Sequence, residues 1–319
     1  MIDVVALGEL LIDFTCQQVD NEGYPTMQAH PGGAPANFLA ALNRYGYKTA
    51  MLGKVGNDTF GKLLVNTLQQ AGIETKGMVV SDDVFTTLAF VTLDTQGDRE
   101  FAFARKPGAD TQITFKEIDL SLVEEARVLH FGTLSLTDEP ARTATYQLVE
   151  YARKHGKLIT YDPNLRKPLW KNLDEAKVQL LWGLSQADVV KISDEEVEFL
   201  FGLNPAEGAQ YILDHFGVKL VFVTCGPQGC YFQNRVCSGW VPSLSGISVV
   251  DTTGAGDIFG GSAVSQLLKH EKSPAELSGE ALRQIVRFAC AAAGLSTTKP
   301  GGISSVPAFA DVMEAMKTI

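Results

Sequence analysis

Cysteine is scarce in this 319-residue chain. The five, at positions 16, 225, 230, 237 and 290, are odd in number and lack Cys-x-x-Cys spacing. That excludes a disulfide framework and leaves a zinc site at Cys225, Cys230 and Cys237 without support, since no histidine lies nearby in sequence. Reduced thiols and a cytosolic location are expected. No apolar run reaches 18 residues. Met1-Ile2-Asp3 leads straight into a strand-like run, not a basic-plus-apolar leader, so neither a membrane span nor a secretory signal is expected. Positive charge is also short: 27 Lys and Arg against 37 Asp and Glu leave a net charge of −10. A nucleic acid or an anionic membrane would favour a basic face and is not an expected partner. Two nucleotide motifs are missing as well. Gly53-Lys54, Gly61-Lys62 and Gly156-Lys157 lack the Ser or Thr that follows in a Walker A loop. Gly254, Gly256 and Gly260 are spaced G-x-G-x-x-x-G, which is not the dinucleotide fingerprint.

What is present is ordinary globular composition, with 45% hydrophobic and 20% charged residues spread along the chain. That suffices for a sizeable core. Val4–Gly8 reads as a buried strand, and Pro35–Tyr45 as a helix closed by Gly46. Thr49–Gly53 reads as a second strand, followed by an amphipathic helix over Phe60–Ala71. Thr86–Asp94 and Arg99–Arg105 are β-rich around Thr95-Gln-Gly-Asp98, a hairpin signal with no helix between. From Arg127 the pattern is regular: apolar runs at Val128–Phe131, Leu158–Tyr161, Val189–Ile192 and Leu220–Thr224 alternate with helical stretches. Two more β-rich runs, Gly229–Gln233 and Gly239–Pro242, precede helices near 255–269, 279–296 and 308–317. The alternation predicts an α/β fold with a mostly parallel sheet covered by helices. With no linker evident, residues 1–319 are expected to form one domain, with segments near 14–31 and 84–107 as a β lid.

Four constellations carry chemistry. In Asp251-Thr-Thr-Gly-Ala-Gly-Asp257, glycines at a helix start let backbone amides face an anion, where the helix dipole is also favourable. An aspartate in that turn can take the proton of a hydroxyl attacking a phosphate. Asp257 as a plain helix cap is the competing reading. In the second, Asp13 follows a strand, and His30-Pro-Gly-Gly-Ala-Pro-Ala-Asn37 sets Gly32 and Gly33 before a helix. Carboxylates and amides bind polyols through paired hydrogen bonds, so Asp13 and Asn37 are sugar candidates; turn and capping chemistry is their alternative. The third, Thr224-Cys-Gly226-Pro-Gln-Gly229, borders either a nucleotide or a plain hairpin. The fourth, Asp162-Pro-Asn164-Leu-Arg166, sits past a strand's C-terminal end, where open α/β sheets place ligands. Arg166 there reads as an anion contact or a surface ion pair.

Together these segments resemble the ribokinase-like (PfkB) carbohydrate kinases from end to end, with the glycine pair before Asn37 and the DTTGAGD turn as the two signature regions. Gly8-Glu-Leu-Leu-Ile-Asp-Phe14, Gly53-Lys-Val-Gly-Asn-Asp58, Asp162–Trp170 and Lys191-Ile-Ser-Asp-Glu-Glu196 are most similar to fructokinases. The resemblance implies a three-layer α/β/α sandwich with a small β lid. It implies Asp257 as base, with Gly254, Ala255 and Gly256 as its anion hole. Asp13, Gly32, Gly33 and Asn37 would hold the sugar, and Arg105 would reach toward sugar or phosphate. Thr224, Gly226 and Gly229 would line ATP. Lys191 would handle its phosphates, and Glu196 would hold Mg²⁺ through water. Asp251 and Thr253, with carbonyls in 297–305, would hold a monovalent cation such as K⁺. A homodimer through the lid is a further expectation. Three positions depart from the common pattern: Ser193 stands for Asn, Cys290 for Asn near the adenine, and Ala104 for a frequent Tyr.

The expected reaction is therefore ATP-dependent phosphorylation of the 6-hydroxyl of D-fructose. A kinase for 2-keto-3-deoxygluconate is the nearest alternative, with Arg166 on the substrate carboxylate. An NAD-dependent sugar dehydrogenase would need glycines that Val4–Leu11 does not supply. A non-catalytic sugar-binding protein would have no need of the Asp257 turn.

Overall fold

The computed structural model describes residues 1–93 and 99–319. Nine strands build the main sheet: β1 (Val4–Leu7), β4 (Thr49–Gly56), β5 (Met78–Ser81), β8 (Val128–Gly132), β9 (Leu158–Asp162), β10 (Val189–Ser193), β11 (Leu220–Thr224), β12 (Cys230–Asn234) and β13 (Ser238–Val241). Their order is β13-β12-β11-β10-β9-β8-β1-β4-β5. Neighbours from β11 to β5 are parallel, and β12 and β13 are added antiparallel. A second sheet, ordered β3-β2-β6-β7, holds β2 (Leu11–Val19), β3 (Pro25–Gly32), β6 (Leu88–Leu93) and β7 (Arg99–Ala104).

Helices cover both faces of the main sheet, which is why its central strands read as continuous apolar runs. Val5 and Leu7 face a core shared with α4 (Ala141–Lys154) and α5 (Leu173–Gln186). Val4 and Ala6, one residue out of phase, face α1 (Ala34–Arg44) and α2 (Thr59–Gln70). The first layer also contains α3 (Leu120–Glu125), α6 (Asp194–Phe201) and α7 (Pro205–Phe216). α8 (Ala255–Leu267), α9 (Gly279–Ser296) and α10 (Phe309–Ala315) complete the second. Local chemistry sets several helix starts: Asp58 caps α2 through the amides of Phe60 and Gly61, and Ser193 with Glu196 forms a capping box on α6.

The alternation of strands and helices from Arg127 onward is as the apolar periodicity predicts. The small sheet is larger than the hairpin signal alone implies. β2 continues directly from the first strand region, and β3 falls in the expected lid segment 14–31, although Gly23, Pro25 and Pro31 give no strand signal there. β3 lies at a sheet edge, where a missing N–H leaves no ladder bond unmade. The expected turn at Thr95–Asp98 lies outside the described residues.

α1 and α8 pack backbone to backbone. A Cβ on Gly261 would collide with the Phe38 carbonyl oxygen and sit 2.9 Å from Ala41 Cβ. We expect Gly261→Ala to destabilise the fold by about 1–3 kcal/mol through overpacking, read as a lowered urea midpoint at unchanged slope.

Candidate active site

Two cavities open along the C-terminal ends of the parallel strands. One, of about 710 Å³, lies between the small sheet and the turns 250–257 and 300–302. The other, of about 240 Å³, is lined by 164–167, Lys191, Ser193, Glu195, Glu196 and Phe199. Both are lined by Asn164, Arg166 and Lys191, so they meet beside those side chains. A site of this form admits two ligands at once, one in each lobe.

Asp257 sits near that junction, in the first turn of α8. Its Oδ2 accepts a hydrogen bond from Asn37 Nδ2 at 2.9 Å, and its Oδ1 faces Asn164 Nδ2 at 3.4 Å. Asn37 comes from α1, and Asn164 from just beyond β9, where its backbone adopts φ 46°. Asparagine tolerates that left-handed conformation better than most residues. Burial raises the Asp257 pKa, while the Asn37 amide, Lys191 and Arg166 pull it back. The result is an aspartate held with both oxygens directed, more basic than an ordinary carboxylate.

The turn before it is built for close approach. Gly254 has φ 75°, and a Cβ there would meet Asn37 Nδ2 and Gly302 Cα at 3.0 Å each. The Ala255 amide closes the turn on the Thr252 carbonyl at 3.3 Å. Among the described residues, the Gly256 and Asp257 amides donate to no backbone carbonyl, and they lie at the positive end of the α8 dipole. Lys191 Nζ would be 2.9 Å from a Cβ on Gly256, and it pairs with Asp162 at 3.0 Å. Burial opposes its charge, but Asp162, Glu196 and Asp257 together raise its pKa and keep it protonated. Unpaired amides and a fixed cation beside a basic carboxylate can stabilise a transferring anion and accept a proton.

The profile of the pfkB family carbohydrate kinases matches residues 1–308. The chain belongs to that family. It is 42% identical over 318 residues to Fructokinase-1 of Zea mays, covering 98% of this chain and 97% of the relative. A fructokinase from Xylella fastidiosa, solved with bound ATP, superposes with a TM-score of 0.91 at 29% identity over 100% of this chain and 99% of that one. A Vibrio cholerae fructokinase in fructose, ADP and calcium ion bound form gives 0.87 at 30% identity, covering 99% of both chains.

Within this carbohydrate kinase, the small sheet contributes Asp13, Gln28 and His30 to one wall of the larger lobe. Gly32 lies against Asp13, and a Cβ on Gly33 would strike the Glu9 carbonyl oxygen. Asp13, Gly33, Asn37, Arg166, Asp251, Thr253, Gly254, Gly256 and Asp257 therefore share one cleft. Arg105 does not join them: its guanidinium is buried against Asp110, Thr137 and the Leu134 carbonyl, and it does not line the cleft. Thr224, Gly226 and Gly229 line neither cavity. They lie one strand beyond the smaller lobe, since Thr224 pairs with Ser193. Gly226 (φ 50°) stands in open space, whereas Gly229 packs on Val241 and Pro242. Both Glu196 oxygens accept amides, from Leu165 and Ser193, at the wall of the smaller lobe. Asp251 accepts the amides of Thr253 and Gly301, tying the two turns together.

Three site residues were missed by sequence reasoning. Asn164 was quoted within its motif without a role. Gly302 leaves room for Asn37, because any side chain there would collide with the Asn37 amide. Glu9 lines the cleft, with Oε1 accepting the Ala34 amide at 2.8 Å, and burial pushes its pKa up to about 7. It supplies the cap that Gly33, having no side chain, cannot give α1.

Burial lifts Asp13 to about 6; Arg166 lowers it, while Asp257 and Asp251 raise it further. A carboxyl whose pKa is raised takes up its proton sooner as pH falls. We therefore expect kcat/KM to decline between pH 7 and 5, earlier than ordinary carboxylates would require. Arg166→Met, which removes a cation holding Asp13 and Asp257 down, should move that acid limb upward in a pH–rate profile.

Proposed function

We propose that this chain is an ATP-dependent fructokinase, transferring the γ-phosphate of ATP to the 6-hydroxyl of D-fructose. The observation that carries the reading is the Asp257 carboxylate, held by Asn37 and Asn164 close to where the two lobes meet. The sugar occupies the larger lobe, with Asp13 and Asn37 binding its hydroxyls beside Gly32 and Gly33. The triphosphate runs through the smaller lobe past Lys191, and the nucleoside extends toward Thr224, Gly226 and Gly229. As the sugar oxygen bonds to the γ-phosphorus, its proton passes to Asp257, the bond to the bridging oxygen breaks, and ADP leaves. Charge on the transferring group is met by the open amide of Gly256, which the Gly254–Ala255 turn presents, by the α8 dipole and by Lys191. The small sheet excludes water, which suppresses ATP hydrolysis.

Mg²⁺ neutralises phosphate charge when bound. Glu196 suits contact through water, because each of its oxygens already accepts an amide and keeps one lone pair. Asp251 and Thr253, joined to the 297–302 turn, offer the hard oxygen donors a monovalent cation such as K⁺ requires. The five free cysteines fit a cytoplasmic enzyme. The edges of β3 and β7 are where two copies would pair through the lid.

A second reading rests on Arg166, a cleft-lining cation that pairs with no carboxylate among the described residues. It suits a sugar acid such as 2-keto-3-deoxygluconate. An ADP-release assay over fructose, ribose, tagatose, glucose and 2-keto-3-deoxygluconate decides between them. We expect the highest kcat/KM for fructose; preference for the sugar acid overturns the fructose assignment. Asp257→Asn should lower kcat by about 10²–10⁴-fold with ATP affinity unchanged, and retention of more than about a tenth of the activity removes Asp257 from the base role.

A further inference from the structure

The Arg105–Asp110 ion pair is buried outside the reaction centre, and the proposed chemistry does not use it. Arg105 is 5% and Asp110 4% exposed. Arg105 Nε donates to Asp110 Oδ2 at 2.8 Å, and its Nη2 lies 2.7 Å from the same oxygen. Nη2 also donates to the Leu134 carbonyl at 2.8 Å, and Nη1 donates to Thr137 Oγ1 at 2.7 Å. The other Asp110 oxygen, Oδ1, accepts the hydroxyl of Thr87.

Their places in the chain give these contacts their meaning. Thr87 immediately precedes β6, and Arg105 immediately follows β7, so one carboxylate ties together both roots of that strand pair. Leu134 and Thr137 belong to the turn after β8, on the main sheet's side, and Leu134 lines the larger lobe of the cleft. The Ile12 amide donates to the Thr87 carbonyl at 3.2 Å, extending the tie to β2, which carries Asp13. Gly108 closes the arrangement: a Cβ there would collide with the Thr87 hydroxyl and reach 2.9 Å from both Arg105 Cγ and Asp110 Oδ1.

We infer that the Arg105–Asp110 pair is the anchor that sets the small sheet over the sugar lobe, so that both are positioning residues for sugar binding. Neither touches substrate. They act through Leu134, whose carbonyl Arg105 holds, and through the β2 and β6 strands seated on Thr87. A buried pair of this kind is seldom worth much net stability, since desolvation offsets the attraction. Its value lies in fixing one relative placement of three chain segments. The family resemblance implied the opposite for Arg105, a reach toward sugar or phosphate.

The inference rests on the kinase reading for its kinetic arm, and a second arm is independent of it. Asp110→Asn and Arg105→Lys are to be compared with the double variant Arg105→Gln/Asp110→Asn, which leaves no unpaired buried charge. With the best sugar of the panel, we expect KM for sugar to rise about tenfold or more in all three. kcat at saturating sugar and KM for ATP should stay within about threefold. ATP hydrolysis without sugar should increase. The double variant should recover most of the thermal midpoint lost by Asp110→Asn without recovering the sugar KM, a separation that a merely structural pair would not produce. Amide exchange should accelerate over 86–91 and 102–105 and remain unchanged over β8 to β11. A sugar KM that follows the thermal midpoint back toward wild type, or exchange that accelerates uniformly, overturns the proposal. If no sugar on the panel is phosphorylated, the kinase reading fails, while the exchange arm still decides whether the pair anchors the sheet.

Discussion

The contact on which the site depends is the hydrogen bond from Asn37 on α1 to Asp257 on α8. It joins residues 220 positions apart in the chain, and it forms only if two helix starts approach within a side chain's length. Three glycines make that approach feasible. Gly261 lets the α8 backbone rest on the α1 backbone, while Gly254 and Gly302 leave the space that the Asn37 amide occupies. The same packing sets the α8 dipole and the Gly256 amide, unpartnered among the described residues, beside Asp257, so the buried carboxylate and the open donor come from one helix placement.

Around this contact the electrostatics are balanced locally and not by overall charge. The chain carries a net charge of −10, yet the place where the two lobes meet is lined by Arg166 and Lys191. Lys191 is held charged by three carboxylates, and Arg166 moderates both Asp13 and Asp257. Glu9 answers the Ala34 amide at the α1 N-terminus with a carboxylate, whereas the Gly256 amide at the α8 N-terminus has no partner among the described residues. A phosphate in the proposed reaction would therefore meet local positive charge in a chain that is acidic overall.

The chain's periodicity exposed the α/β rhythm because both faces of the main sheet are buried, which compels apolar runs such as Val189–Ile192 and Leu220–Thr224. Strand β3 fell in the expected lid segment but showed no strand pattern of its own, because an edge strand is free to carry Pro25 and Pro31. Asp13, Asn37, Arg166 and Asp257 were legible as candidates, since each stands beside a glycine-rich turn or an expected strand end, whereas Lys191, in the middle of β10, came only from the family resemblance. Asn164 was not singled out, because its role depends on a left-handed backbone that aims its amide at Asp257. Arg105 was misread, because no local signal reveals that Asp110, Thr137 and the Leu134 carbonyl enclose it.

By itself the sequence determined the α/β fold class and the two glycine-bearing turns, because these follow from short-range patterns of apolarity and backbone freedom. It also limited the chemistry, since the Asp257 turn had the parts of an anion site and a base but no proof of assembly. Tertiary structure alone decided which of those parts meet. It placed Asn37 and Asn164 on Asp257, set Gly226 and Gly229 one strand beyond the smaller lobe, and enclosed Arg105 away from the cleft. The physical reason is that a side chain's role is set by its neighbours, and here those neighbours come from distant segments brought together by helix packing. Spacing along the chain carries no record of that approach except the glycines that permit it.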